Sequence, residues 1–231
     1  GADCVMKRQV LVTLLLSVMI ALLGIGIIVP VVPVLAVSLG ASGLSLGLII
    51  GAFSFSRTIL QPVIGSLSDR WGRKGFLLAG LLVYALVGLL FPEATSVRNL
   101  IGIRALHGIG SAMIVPVAMA YVSDMAPIGQ EGRYMGMLNI AVFTGIGGGP
   151  LLGGVFTDLW GMAAPFYAMA ALSVLAMLLV LFQMPALEVR GQNRIRQPLR
   201  TALASMLRRR RTVSPPWTCS ATSSSSTWGR P

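Results

Sequence analysis

Charge is scarce in this sequence. Of 231 residues only 11% are Asp, Glu, Lys or Arg, where a soluble globular domain carries roughly 25%. A soluble chain of this length needs far more to cover its surface, so soluble enzymes and disordered chains are excluded. Cysteine is scarcer still. Cys4 and Cys219 stand near opposite ends, which excludes a disulfide-built scaffold and a thiolate metal site. The lone His107 has no His, Cys or carboxylate at ligand spacing, so no metal site and no cofactor are expected. No nucleophile–base constellation is visible either, and an enzyme is not expected. Aromatic residues, at 7%, do not interleave with basic ones as a single-strand binder requires, and no nucleic-acid partner is expected. What the chain does have is apolar residues: 55% of the total, with a mean hydropathy of +0.82. The expected class is an all-α integral membrane protein.

A bilayer core of about 30 Å takes about 20 apolar residues per helix. Between Arg8 and Arg57 no residue is charged, a run long enough for two helices. The turn-like stretch Ser38-Leu39-Gly40-Ala41-Ser42-Gly43 divides it. Six spans are predicted: Val10–Val37, Leu44–Ser68, residues 75–92, Val97–Ser123, Tyr134–Thr157 and Met162–Gln183. The connections are short, so sequence neighbours are expected to pack on one another. Span 1 follows Lys7-Arg8 as a signal peptide would, but it is too long and has no Ala-x-Ala site. The chain is divided into a cytoplasmic N-terminus (1–9), a six-helix bundle (10–184), a basic cytoplasmic loop (185–211) and a tail (212–231).

Orientation follows from basic residues. With the N-terminus inside, Lys7, Arg8, Arg70, Arg73, Lys74, Arg133 and the nine arginines after residue 184 all fall inside, and only Arg98 falls in an outer loop. Both termini are thus expected on the cytoplasmic face of the inner or plasma membrane. Basic residues 199–211 are expected to meet anionic lipid as an amphipathic helix. After residue 212 no apolar run follows, where a seventh span is expected. A frameshift or truncation near that point is the expectation, and Gly1–Val5 reads as extraneous before Met6.

The spans read as two threes. Gly24-Ile25-Gly26 and Val29-Pro30-Val31 in span 1 echo Gly108-Ile109-Gly110 and Val115-Pro116-Val117 in span 4. Pro62-x-x-Gly65 followed by Asp69 in span 2 echoes Pro150-x-x-Gly153 followed by Asp158 in span 5. Three helices per unit require the second unit to be inverted, a recurring plan in secondary transporters.

Several of these residues form a known pattern. Gly65-Ser66-Leu67-Ser68-Asp69-Arg70-Trp71-Gly72-Arg73-Lys74 resembles the loop between helices 2 and 3 of the major facilitator superfamily. Arg104-x-x-His107-Gly108 is similar to that family's R-x-x-Q-G. Gly145-x-x-x-Gly149-Pro150-x-x-Gly153-Gly154 resembles the antiporter motif of its drug:proton antiporters. The resemblance covers residues 7–211, the N-terminal half of a twelve-helix fold. It implies a small-molecule efflux carrier that exchanges substrate for protons by alternating access. It also implies that Asp69 and Arg73 latch a cytoplasmic gate against the other half, and that Arg104 serves proton coupling in a central cavity. Asp124, at the cytoplasmic end of span 4, is by its position a candidate second partner for Arg73.

The residues themselves leave alternatives open. Gly65 is expected to permit close helix approach and Gly72 a tight reversal. Arg70, Arg73 and Lys74 could instead act only in topology. Arg104 costs about 2.5–3.5 kcal/mol on insertion scales and could snorkel to the outer interface. His107 reads as a proton relay or as a hydrogen-bonding stand-in for Gln, and Arg57 as a cavity residue or a structural one. The span 5 glycines serve exchange or simply tight packing. No carboxylate lies deep in a span, which favours neutral or anionic substrates over a cationic-drug specialist. Expected partners are a small-molecule substrate, protons, membrane lipids, and a missing C-terminal half or a second copy. The rival readings are a carrier of another substrate class, such as a sugar, metabolite or organic anion, and a truncated, non-transporting membrane fragment.

Overall fold

In hydrocarbon a chain has to satisfy its backbone hydrogen bonds within itself, and a helix does so locally. The computed structural model describes residues 2–127 and 129–184, with side chains from Gln9 onward. All secondary structure in this region is α-helical: α1 (Ala2–Ile28), α2 (Val31–Ser38), α3 (Gly43–Trp71), α4 (Arg73–Leu90), α5 (Val97–Met125), α6 (Glu131–Trp160) and α7 (Ala164–Gln183). Six stretches among the described residues are long and apolar enough to cross a membrane, the first being Gln9–Ser38. All six expected spans are therefore present. The basic loop 185–211, its amphipathic helix and the tail 212–231 lie outside the described residues.

Span 1 departs from expectation. It is two helices, interrupted at Val29 and Pro30. Pro62, Pro116 and Pro150 each sit inside an unbroken helix. Span 1 carries two prolines three residues apart, Pro30 and Pro33. Each removes a backbone donor and crowds the preceding turn, and two such losses within one turn end α1.

The packing also departs from expectation. The most extensive interfaces are α1 with α6 and α7, α5 with α3 and α4, and α4 with α7. Only α4 and α5 are both consecutive and closely packed. The pattern is instead the one two repeats produce. Exchanging spans 1, 2, 3 with 4, 5, 6 turns the α1–α6 interface into α5–α3 and the α1–α7 interface into α5–α4, and leaves α4–α7 in place. Contacts along α1 and α6 rise together, from Met19 at Gly145 to Ile27 at Gly153, so these helices are parallel. Span 4 runs against span 3, with Gly80 at Ile114 and Tyr84 at Gly110. Span 3 runs against span 6, with Lys74 at Leu181 and Gly88 at Phe166. Span 6 in turn runs against span 1, with Thr13 at Gln183 and Gly24 at Met169. Spans 1 and 4 are thus antiparallel, as inverted units require.

The contacts also set the register of the repeat. Gly24 meets Met169 of span 6, and Gly110 meets Tyr84 of span 3. Leu22 meets Gly145 of span 5, and Gly108 meets Phe53 and Ser56 of span 2. Gly24 therefore corresponds to Gly110 and Pro30 to Pro116. The apparent match of Gly24-Ile25-Gly26 with Gly108-Ile109-Gly110 is two residues out of step with the packing.

Candidate functional site

Helix α3 ends at Trp71, and Gly72, at φ 98°, turns the chain directly into α4 at Arg73. That backbone conformation favours glycine. Asp69 and Arg73 are one turn apart across the corner, with Arg73 Nη2 2.9 Å from Asp69 Oδ1. The other terminal nitrogen, Nη1, reaches the Asp124 carboxylate and donates to the Ala120 carbonyl, both on α5. Arg73 thus ties the α3–α4 corner to the end of α5. The arginine side chain is 18% exposed, against 58% for Asp69 and 44% for Asp124. Ion pairs this open contribute about 0–1 kcal/mol each. They bias a position without fixing it.

The remaining loop residues separate. Lys74 Nζ donates to the Leu181 carbonyl at 2.9 Å and to that of Met184, at the end of α7. A cation there satisfies orphan carbonyls and complements the helix dipole. Nothing in the sequence signals this contact, because its partners are more than a hundred residues away. Arg70 is exposed and joins no ion pair among the described residues. Among the described residues Gly65 mediates no close approach, where one was expected. A Cβ there would meet open space among the described residues, and the buried face of this stretch of α3 is carried by Ile64 and Ser68 instead.

Arg104 and His107 share one face of α5 and are both buried. The Arg104 guanidinium carbon lies 5.8 Å from the ring centres of Phe53 and of Phe91, within cation–π range. The His107 ring is 5.0 Å from Phe53, 5.0 Å from Tyr84 and 6.2 Å from Phe91. Neither His107 nitrogen has a hydrogen-bond partner among the described residues, and nor does Arg104 Nε. Arg104 is only 7% exposed, so it does not snorkel to the interface. Aromatic faces from α3 and the α4 end hold the charge instead. Sequence reasoning missed this nest because its rings come from separate spans. Arg57 is half-buried on α3, one turn beyond Phe53, where α3 crosses Gly108.

The glycines of α6 divide by face. Gly145, Gly149 and Gly153 are buried and press on α1. A Cβ at Gly149 would stand 2.3 Å from the Gly26 backbone, and one at Gly153 2.3 Å from the Ile27 carbonyl oxygen. Gly154 lies off this face, with open space around it, and Pro150 is exposed. The expected glycine face is therefore a three-residue stripe at four-residue spacing.

Residues 14–229 match the Major Facilitator Superfamily profile. The chain belongs to the major facilitator superfamily. Over 155 residues it is 39% identical to an uncharacterized MFS-type transporter of Methanocaldococcus jannaschii, covering 67% of this chain and 40% of that protein. Multidrug resistance protein 2 of Bacillus subtilis is 34% identical over 170 residues, 74% of this chain and 42% of that protein. Among solved structures, the human organic anion transporter MFSD10 superposes with a TM-score of 0.67 at 22% identity, covering 78% of this chain and 48% of that one. At that identity the likeness is one of fold. The chain spans less than half the length of these relatives and corresponds to their N-terminal half.

Proposed function

We propose that this chain is the N-terminal half of a proton-coupled efflux carrier for small, drug-like molecules, set in the plasma membrane with both termini inside and working by alternating access. The observation that carries the reading is the Arg73 bridge to Asp69 and Asp124. It joins α3, α4 and α5 on the face richest in basic residues and is open enough to break and re-form. A latch in an alternating carrier needs that combination, since a strong tie would freeze one state. The multidrug relative supports the substrate class.

The test is transport by a complete carrier containing this half, in everted vesicles from a drug-sensitive bacterial strain. Imposing a proton gradient should drive a fluorescent drug into the vesicles, and collapsing the gradient should release it. No gradient-dependent movement across a panel of drug-like compounds would overturn the reading and favour a carrier of another substrate class.

A further inference from the structure

The two tryptophans among the described residues stand at matching places in the repeat. Asp69-Arg70-Trp71-Gly72 closes α3, and Asp158-Leu159-Trp160-Gly161 closes α6. Each tryptophan is the last residue of its helix, and the glycine after it turns the chain, with φ 98° at Gly72 and 86° at Gly161. Helix α3 ends on the face that holds the end of α5, where Arg73 meets Asp124. Helix α6 begins on that face and ends on the other. The repeat thus puts one tryptophan at each face of the bundle.

Neither ring is packed away. Trp71 is 80% exposed and Trp160 67%, although a side chain of this size is highly buried on average. Two residues along a helix is a rotation of about 200°. Trp71 therefore lies across α3 from Asp69, which turns to the Arg73 bridge, and Trp160 lies across α6 from Asp158. Trp160 is steadied by the Phe156 ring one turn back, with 5.5 Å between centres. Tyr167, near the start of α7, is exposed as well, whereas Tyr84, in the middle of its span, is buried.

The lengths of the two helices say what surrounds these rings. At 29 and 30 residues, α3 and α6 are about 44 Å long at 1.5 Å per residue. A bilayer with its headgroup regions is about 40–45 Å thick, so the last residue of each helix reaches headgroup level. An indole has an apolar body and one N–H donor. In hydrocarbon the donor has no acceptor, and in water the body is left wet. The headgroup region answers both needs.

We propose that Trp71 and Trp160 are lipid anchors, one in each leaflet, which bind the ester and headgroup region and set the depth of the bundle in the membrane. Each ring lies among the upper acyl chains and donates its N–H to a lipid ester oxygen. Arg70, exposed beside Trp71 and in no ion pair among the described residues, adds a cation at the level of the lipid phosphates.

The test is fluorescence quenching of the 231-residue chain in phosphatidylcholine vesicles, with helix content checked by circular dichroism. One form keeps Trp71 and carries Trp160→Phe, Trp217→Phe and Trp228→Phe. The other keeps Trp160 and carries Trp71→Phe with the same two tail changes. Tyrosine replaces phenylalanine at these positions if a form misfolds. Lipids brominated high on their chains should quench each tryptophan about twice as strongly as lipids brominated near the chain ends. Deep bromines that quench either residue as strongly as shallow ones overturn the proposal. So does a water-like emission that no brominated lipid quenches. In a complete carrier containing this half the shallow quenching should persist, and its loss there would mean that the other half covers these rings, which also overturns the proposal.

Discussion

Arg73 and Arg104 show what burial does to the same side chain. Arg73 is met by two carboxylates at an open corner, and Arg104 by two aromatic faces in a closed one. For Arg73 the partners are separable. In a complete carrier Asp69→Asn should remove most efflux while membrane levels stay at wild type, since an exposed pair contributes only about 0–1 kcal/mol to stability. Drug efflux normalised to immunoblotted protein checks this, and normal efflux would leave only a topological role for the loop. For Arg104 the planar guanidinium matters as much as the charge, because it lies against rings and lysine is no equivalent there. Arg104→Lys and Arg104→Ala should both slow gradient-driven efflux by about tenfold, equal to ~1.4 kcal/mol, at matched membrane levels. Full activity of the lysine form would show that charge alone suffices. His107→Gln keeps polar atoms but loses the ring that contacts Phe53 and Tyr84. Wild-type efflux in that variant would support the stand-in role, and loss of its pH dependence the relay role.

At the scale of elements, the spans were legible because hydrocarbon demands long uncharged runs, and the run from residue 9 to 56 leaves little choice. Their pairing was not legible. Loop length suggests that consecutive helices pack together, yet partners are chosen by where backbones can come close. That depends on the phase of each glycine around its helix. Gly145, Gly149 and Gly153 share one face and select α1, while Gly154, next in sequence, faces open space. The Asp69–Arg73 pair could be anticipated from its four-residue spacing, and Asp124 from its place at the end of span 4. Lys74 at the end of α7 could not, because only the folded bundle brings the two together. The glycine phase makes a sharp prediction. Gly149→Ala should destabilise the α1–α6 interface by about 1–3 kcal/mol or more, since the atoms met are backbone and cannot swing aside. Gly154→Ala should change little. Thermal unfolding of the two variants in detergent separates them, and equal melting temperatures would refute the assigned contact face.

The described residues form six spans threaded alternately up and down, and that number fixes a relation between the two ends of the bundle. The α3–α4 corner, the end of α5 and the end of α7 share one face, since Arg73 joins the first to Asp124 and Lys74 joins it to Leu181. The start of span 1 is on the same face, because Thr13 donates to Gln183 at the end of α7. The start of span 1 and the end of α7 therefore lie on one face, and on the proposed orientation the basic-residue bias puts that face in the cytoplasm. Reporter fusions at Arg8 and Arg211 test the relation, using one enzyme active only inside the cell and one active only outside. Both sites should give the inside signal, and a fusion in the loop at Glu93 should give the outside one. Replacing Arg70, Arg73 and Lys74 together with Gln should weaken this preference, since they are the basic residues of the first inner loop. Opposite locations for Arg8 and Arg211 would mean that one of the six helices does not cross, and with it the pairing of the two three-helix units would fail.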